Sequence, residues 1–240
     1  MSHRRQQKEA LRKEREERER KHREAQQRKR MVGYGAAGLL VAVVAIVLVV
    51  LATGSNGGDG GGGDSQSADV FPTSGSVPDQ KDFEVAPAAA AANCQLKSTP
   101  AKSRRHTTSL DKHIKYATNP PDSGSHYVQP ATDGVYGDAP RDEELVHGLE
   151  HGRVIIWAKP SLPKEERANL RALFDEDTYQ MFLVSRANMP YAVAASAWNA
   201  EPVPNGTGRL MLCKKFTPEV YDALRAFRDE HRSRGPEPVP

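Results

Sequence analysis

The chain has 240 residues and a formal net charge of +3. Residues 1–30 carry thirteen Lys/Arg against six Asp/Glu, a net of +7, so the remainder carries a net of −4. A basic tail on a mildly acidic body excludes a uniformly basic nucleic-acid surface, and that body, at ~150 residues, has the size of one compact domain.

Residues 1–30 read as a solvated helix. Glu14 with Arg18, Glu16 with Arg20 and Glu17 with Lys21 stand at i,i+4, and no apolar face exists to pack on a core. Such a tail can bind acidic lipid headgroups or nucleic acid. Because Arg28-Lys29-Arg30 abut an apolar run, the tail reads best as a topology signal, with no nucleic-acid partner expected. No charge occurs from Met31 through Gly58. Residues 31–52 are therefore predicted to form one transmembrane helix that contacts membrane lipid, since ~20 apolar residues span the hydrocarbon core. A cleaved signal peptide is the rival, but its apolar region is typically only ~7–15 residues. Lys/Arg on one side place the N-terminus in the cytoplasm and the body outside the cell membrane.

Residues 53–92, rich in Gly, Ala and Pro, read as a disordered linker. The folded body is expected over 93–240. Its two cysteines, Cys94 and Cys213, form a natural disulfide if the body lies outside the cytoplasm; the alternative is two free buried thiols. Turn residues dominate from Lys102 to Asp138, where loops and one or two short strands are expected. Pro140–His151 is a predicted helix, with Asp142, Glu143 and Glu144 in the first turn and Gly152 as its stop. Arg153–Trp157 is a buried strand, and Ser161–Asp175 a helix with Pro163 near its first turn. Tyr179–Ser185, Tyr191–Trp198 and Arg209–Cys213 follow as strands. Thr217-Pro218-Glu219 opens a last helix whose stripe is Val220, Leu224 and Phe227. The fold class is α+β. The order β-α-β, then β-β-α, is that of a thioredoxin-like layer, and Met189-Pro190 falls where that layer carries a cis-proline. No redox CxxC is present.

The blocks NPPDSGSHY, GVYGDAP, ELVHGLEHGRVIIW, Ala197-Trp198 and the terminal RGPEP resemble a bacterial membrane-protein family known as domain of unknown function 3105. The similarity runs from Thr99 to Pro238. The resemblance implies a cytoplasmic tail, one span and an extracytoplasmic domain, and it implies no settled activity. It also picks out His106, ten residues before Tyr116. Trp157-Ala158 departs from the aromatic pair usual there.

His147 and His151 stand at i,i+4, so both imidazoles can reach one ion. With His126 on a Pro-Pro/Ser-Gly turn and His106 as a fourth ligand, the histidines suit a Cu or Zn site in a binding module of the cell envelope. An envelope protein partner belongs to that reading. Read as H-x-x-E-H, the same cluster makes Glu150 the general base of a metal-dependent hydrolase. That chemistry needs a distal acidic ligand, for which Glu219, Glu230 and Glu237 are candidates. The third reading is a structural scaffold, with each histidine bonded locally. P-loop, dinucleotide, nucleophile-elbow and zinc-finger patterns are missing.

Overall fold

The structure, a computed structural model, describes residues 63–111 and 113–237. The expected tail at 1–30, the expected span at 31–52 and the first part of the expected linker lie outside the described residues. No described helix is long and apolar enough to cross a membrane.

Two helices come first, α1 (Gly63–Val70) and α2 (Val85–Ala91). Strand β1 (Cys94–Pro100) is followed by three short strands, β2 (His106–Thr107), β3 (His126–Tyr127) and β4 (Gly134–Tyr136). Helix α3 (Asp142–Glu150), strand β5 (Val154–Ala158), helix α4 (Lys164–Glu176) and strand β6 (Met181–Ser185) come next. The chain then forms β7 (Val193–Asn199), β8 (Thr207–Cys213) and α5 (Val220–His231).

Six strands make one sheet in the order β1-β8-β7-β5-β6-β4. The β1/β8, β8/β7 and β7/β5 pairs are antiparallel, while β5/β6 and β6/β4 are parallel. This is a small α+β domain on a mostly antiparallel sheet. Strand β5 lies inside the sheet and is buried along its whole length, which is why it reads as an unbroken apolar run. Its pleat sends Val154, Ile156 and Ala158 to the face covered by α2, α4 and α5, and Ile155 and Trp157 to the face covered by α3. Cys94 and Cys213 face each other across the β1/β8 pair and are joined by a disulfide.

The structure corrects two expectations. The stretch read as linker is ordered where it is described. Phe71, Val85, Ala88, Ala89 and Ala92 are buried in the core beside Phe227 and Leu224 of α5. Alanine is the strongest helix former, so an Ala run can build a helix thin enough to pack closely on its neighbour. The body therefore begins well before residue 93. Second, the cis peptide bonds among the described residues precede Pro120, Pro202 and Pro204, and the Met189–Pro190 bond is not one of them.

Candidate metal centre

Helix α3 presents the site. Its first turn carries Asp142, Glu143 and Glu144 against the helix dipole, and the Glu144 carboxylate accepts a hydrogen bond from the Arg141 N–H at 3.2 Å. At the other end Gly152 takes φ +84° and the Arg153 N–H bonds back to the Gly148 carbonyl, the turn that glycine permits. Leu145, Val146 and Leu149 bury against the sheet. Gly148 allows close approach, because a Cβ there would meet the Phe182 ring at 2.6 Å. With α3 seated this way, His147 and Glu150, at i,i+3, share one face, and His151 follows as the C-cap.

The other two histidines arrive from loops that a minimal parallel ladder fixes. Strands β2 and β3 pair for two residues only, with His106 opposite His126 and Thr107 opposite Tyr127. Parallel neighbours present side chains on the same face, and the His106 and His126 rings lie 4.5 Å apart, edge to face. The β3 approach is held by the Tyr116 hydroxyl, which donates to the Ser125 carbonyl at 2.8 Å, and by the Ser125 hydroxyl, which donates to that of Ser103 at 3.0 Å. The floor is buried: His126 is fully enclosed and packs edge to face with Trp198, ring centroids 5.9 Å apart.

His106, His126, His147 and Glu150 each bring one donor atom into a cluster in which all four atoms lie within 4.8 Å of one another. The Glu150 Oε2 lies 2.9 Å from His126 Nε2 and 3.6 Å from His106 Nε2. The His126/Glu150 contact is short but lacks hydrogen-bond alignment, and both atoms are buried without a hydrogen-bond partner. Native packing rarely leaves such atoms orphaned. The tautomer sharpens the point. His126 Nδ1 lies 2.8 Å from the Gly124 carbonyl, which can only accept, so that nitrogen carries the proton. With Nδ1 so committed, Nε2 is the ring nitrogen that faces the carboxylate oxygen. A ring nitrogen and a carboxylate oxygen so placed can share a cation.

Arg104 settles how Glu150 is held: its Nε donates to Glu150 Oε1 at 2.7 Å, leaving Oε2 for the cluster. Burial on its own would raise the Glu150 carboxyl, but His126 and Arg104 outweigh it and hold the group down at about 2, so it is a carboxylate. His147 is pushed down to about 4, first by burial and then by His126 and His151, so it is a neutral imidazole near pH 7. The Tyr127 backbone, close enough to favour the charged form, opposes this, although His147 Nδ1 has no aligned partner. His151 is lowered too, by burial and then Arg153.

The expected histidines thus have unequal places. His106, His126 and His147 converge with Glu150. His151 stands beside them, its Nε2 3.1 Å from His147 Nε2, but outside the four-atom cluster. Glu150, the general base of the H-x-x-E-H reading, brings a carboxylate oxygen into the same cluster. Glu237 reaches only the edge, 3.8 Å from Arg104, while Glu219 and Glu230 are exposed residues outside the cluster. Arg104 was not singled out from sequence, though its place in the run Lys102-Ser103-Arg104-Arg105-His106 was a signal of charge beside a ligand.

No curated protein and no solved structure matches the chain. One family model, described as protein of unknown function (DUF3105), matches residues 107–239. That span takes in His126, His147, Glu150 and His151 and begins one residue after His106. Because the match covers more than half of the sequence, the chain belongs to the DUF3105 family.

Proposed function

We propose that this protein is a membrane-anchored, extracytoplasmic binding module whose body holds one divalent transition-metal ion, Zn²⁺ or Cu²⁺, through His106, His126, His147 and Glu150. The observation that carries the reading is the convergence of His106, His126, His147 and Glu150, with His126 Nε2 and Glu150 Oε2 buried 2.9 Å apart and without an aligned hydrogen bond. Ligand atoms on one tetrahedral Zn²⁺ at ~2.0–2.1 Å stand roughly 3.3 Å apart. Small movements of the rings therefore suffice to seat the ion. Neutral His147 and the ionised Glu150 are in the protonation states that a metal needs.

The address is supported by the charge-free run 31–52 behind Arg28-Lys29-Arg30 and by a disulfide suited to an oxidising compartment. A thioredoxin-like layer is supported by the neighbour order β6-β5-β7-β8, with β5 and β6 parallel. It lends no redox function, since no CxxC accompanies it.

The full-length protein, purified in detergent and stripped with chelator, tests the metal reading by titration with Zn²⁺ and Cu²⁺. Near-stoichiometric uptake is expected, with stabilisation of roughly 2.7 kcal/mol at one hundred times Kd. A His126→Ala/His147→Ala double variant should lose both. No retained metal and unchanged melting would leave a scaffold domain. For the address, protease added to intact cells should reach the body and spare residues 1–30; cleavage confined to lysed cells overturns it.

A further inference from the structure

Resting on that metal reading, we infer that the loaded ion carries an exogenous small oxyanion, bridged to the guanidinium of Arg104. The charge of the donors favours it. Three of the four protein ligands are imidazoles, which bring no negative charge. The Glu150 carboxylate offsets one charge of a divalent ion, but Arg104 is bonded to that same carboxylate at 2.7 Å and restores a positive charge beside it. Glu237 answers only in part, at 3.8 Å and half exposed. A dication on a buried floor is then left with excess positive charge, which a bound anion offsets.

Geometry gives the anion a way in. The inner wall, His126 and Glu150, is fully buried. The outer wall is open: the side chains of His106 and Arg104 are 42% and 32% exposed. Arg104 spends its Nε on Glu150 and has Nη2 3.8 Å from Glu237, so its terminal N–H groups are left to grip an oxygen whose partner oxygen sits on the metal. Lys102 and Arg105, both exposed, and the half-exposed Arg104 make the approach electropositive. Four protein ligands leave room for a fifth on Zn²⁺ or Cu²⁺. The ligand class is a carboxylate or a phosphate, each able to bridge in this way.

The test uses full-length protein saturated with Cu²⁺, its metal content measured by elemental analysis in each sample. Acetate or inorganic phosphate is added at constant ionic strength, with perchlorate as the weakly coordinating control, and the visible and electron-paramagnetic spectra are read. The wild type should show a saturable spectral change with one of the two anions and none with perchlorate. The anion acting at the lower concentration names the class. In Arg104→Gln, also saturated with Cu²⁺, the half-saturating concentration should rise about tenfold, the order expected for a lost charge-assisted hydrogen bond. If Arg104→Gln does not fold or hold copper, Arg104→Lys decides, since it keeps the charge and loses the fork. An unresponsive spectrum with copper bound, or an equal response in the Arg104 variant, overturns the oxyanion and leaves the metal reading standing. Failure of the wild type to retain copper or zinc removes both.

Discussion

Glu150 governs the site at the scale of single residues, because one oxygen is committed to Arg104 and the other to the cluster. Glu150→Gln keeps the shape and removes the charge. Metal affinity is expected to fall by more than ~100-fold, since even outer partners of metal ligands are worth ~10–100-fold; calorimetric titration of wild type against variant checks it. His151 should behave differently. It touches His147 but not the four-atom cluster, so His151→Ala should lower affinity by less than ~10-fold and leave one ion per chain. Equal losses in the two variants would move His151 into the ligand set. Sequence made this contrast only half legible. The i,i+4 spacing showed that His147 and His151 share a face. It did not show that the i,i+3 partner Glu150 points to the same place, which depends on how Gly148 lets α3 press on Phe182.

Elements differ in how plainly their residues announce them. Strand β5 and helix α5 were legible, one as an apolar run bounded by polar residues, the other as a stripe behind proline and acid. The β2/β3 ladder was not, because two residues a side carry no periodicity, yet it sets His106 against His126. Helix α2 was misread, since an alanine-rich stretch resembles a tether when its partner is out of view. That partner is α5, and the contact yields a prediction. Ala88 is fully buried between them, so Ala88→Leu should overpack the seam and cost ~1–3 kcal/mol. A residue on an exposed tether would change stability by no more than ~0.5 kcal/mol. Urea unfolding of the two forms separates these outcomes.

Over the whole molecule, acid should unfold the domain through histidines buried as neutral rings. His231 is far from the metal cluster in role: it accepts from the Asn199 amide at 3.3 Å and packs edge-on to Phe227. Burial, then Arg209 and Arg234, push it down to about 4, from an ordinary 6.5. The unfolded chain therefore binds a proton that the native chain refuses, and native stability rises with pH across that window. The contribution is complete above about 6.5 and is lost as pH falls toward 4, amounting to at most ~3 kcal/mol for this ring. His147, lowered to about 4 by its own burial, acts in the same window. In the metal-free protein, melting temperature should thus drop steadily from pH 7 to pH 4.5, and His231→Gln should flatten part of that slope while leaving the rest to His147. Reducing the Cys94–Cys213 disulfide is a separate test, because it acts on the unfolded chain: it should cost at most ~5 kcal/mol by the loop-entropy estimate for residues 119 positions apart, nearly independent of pH in this range. If the acid slope vanished on reduction, proton uptake by buried rings could not be its source, since a covalent tie in the unfolded state does not alter which nitrogens the core keeps from water.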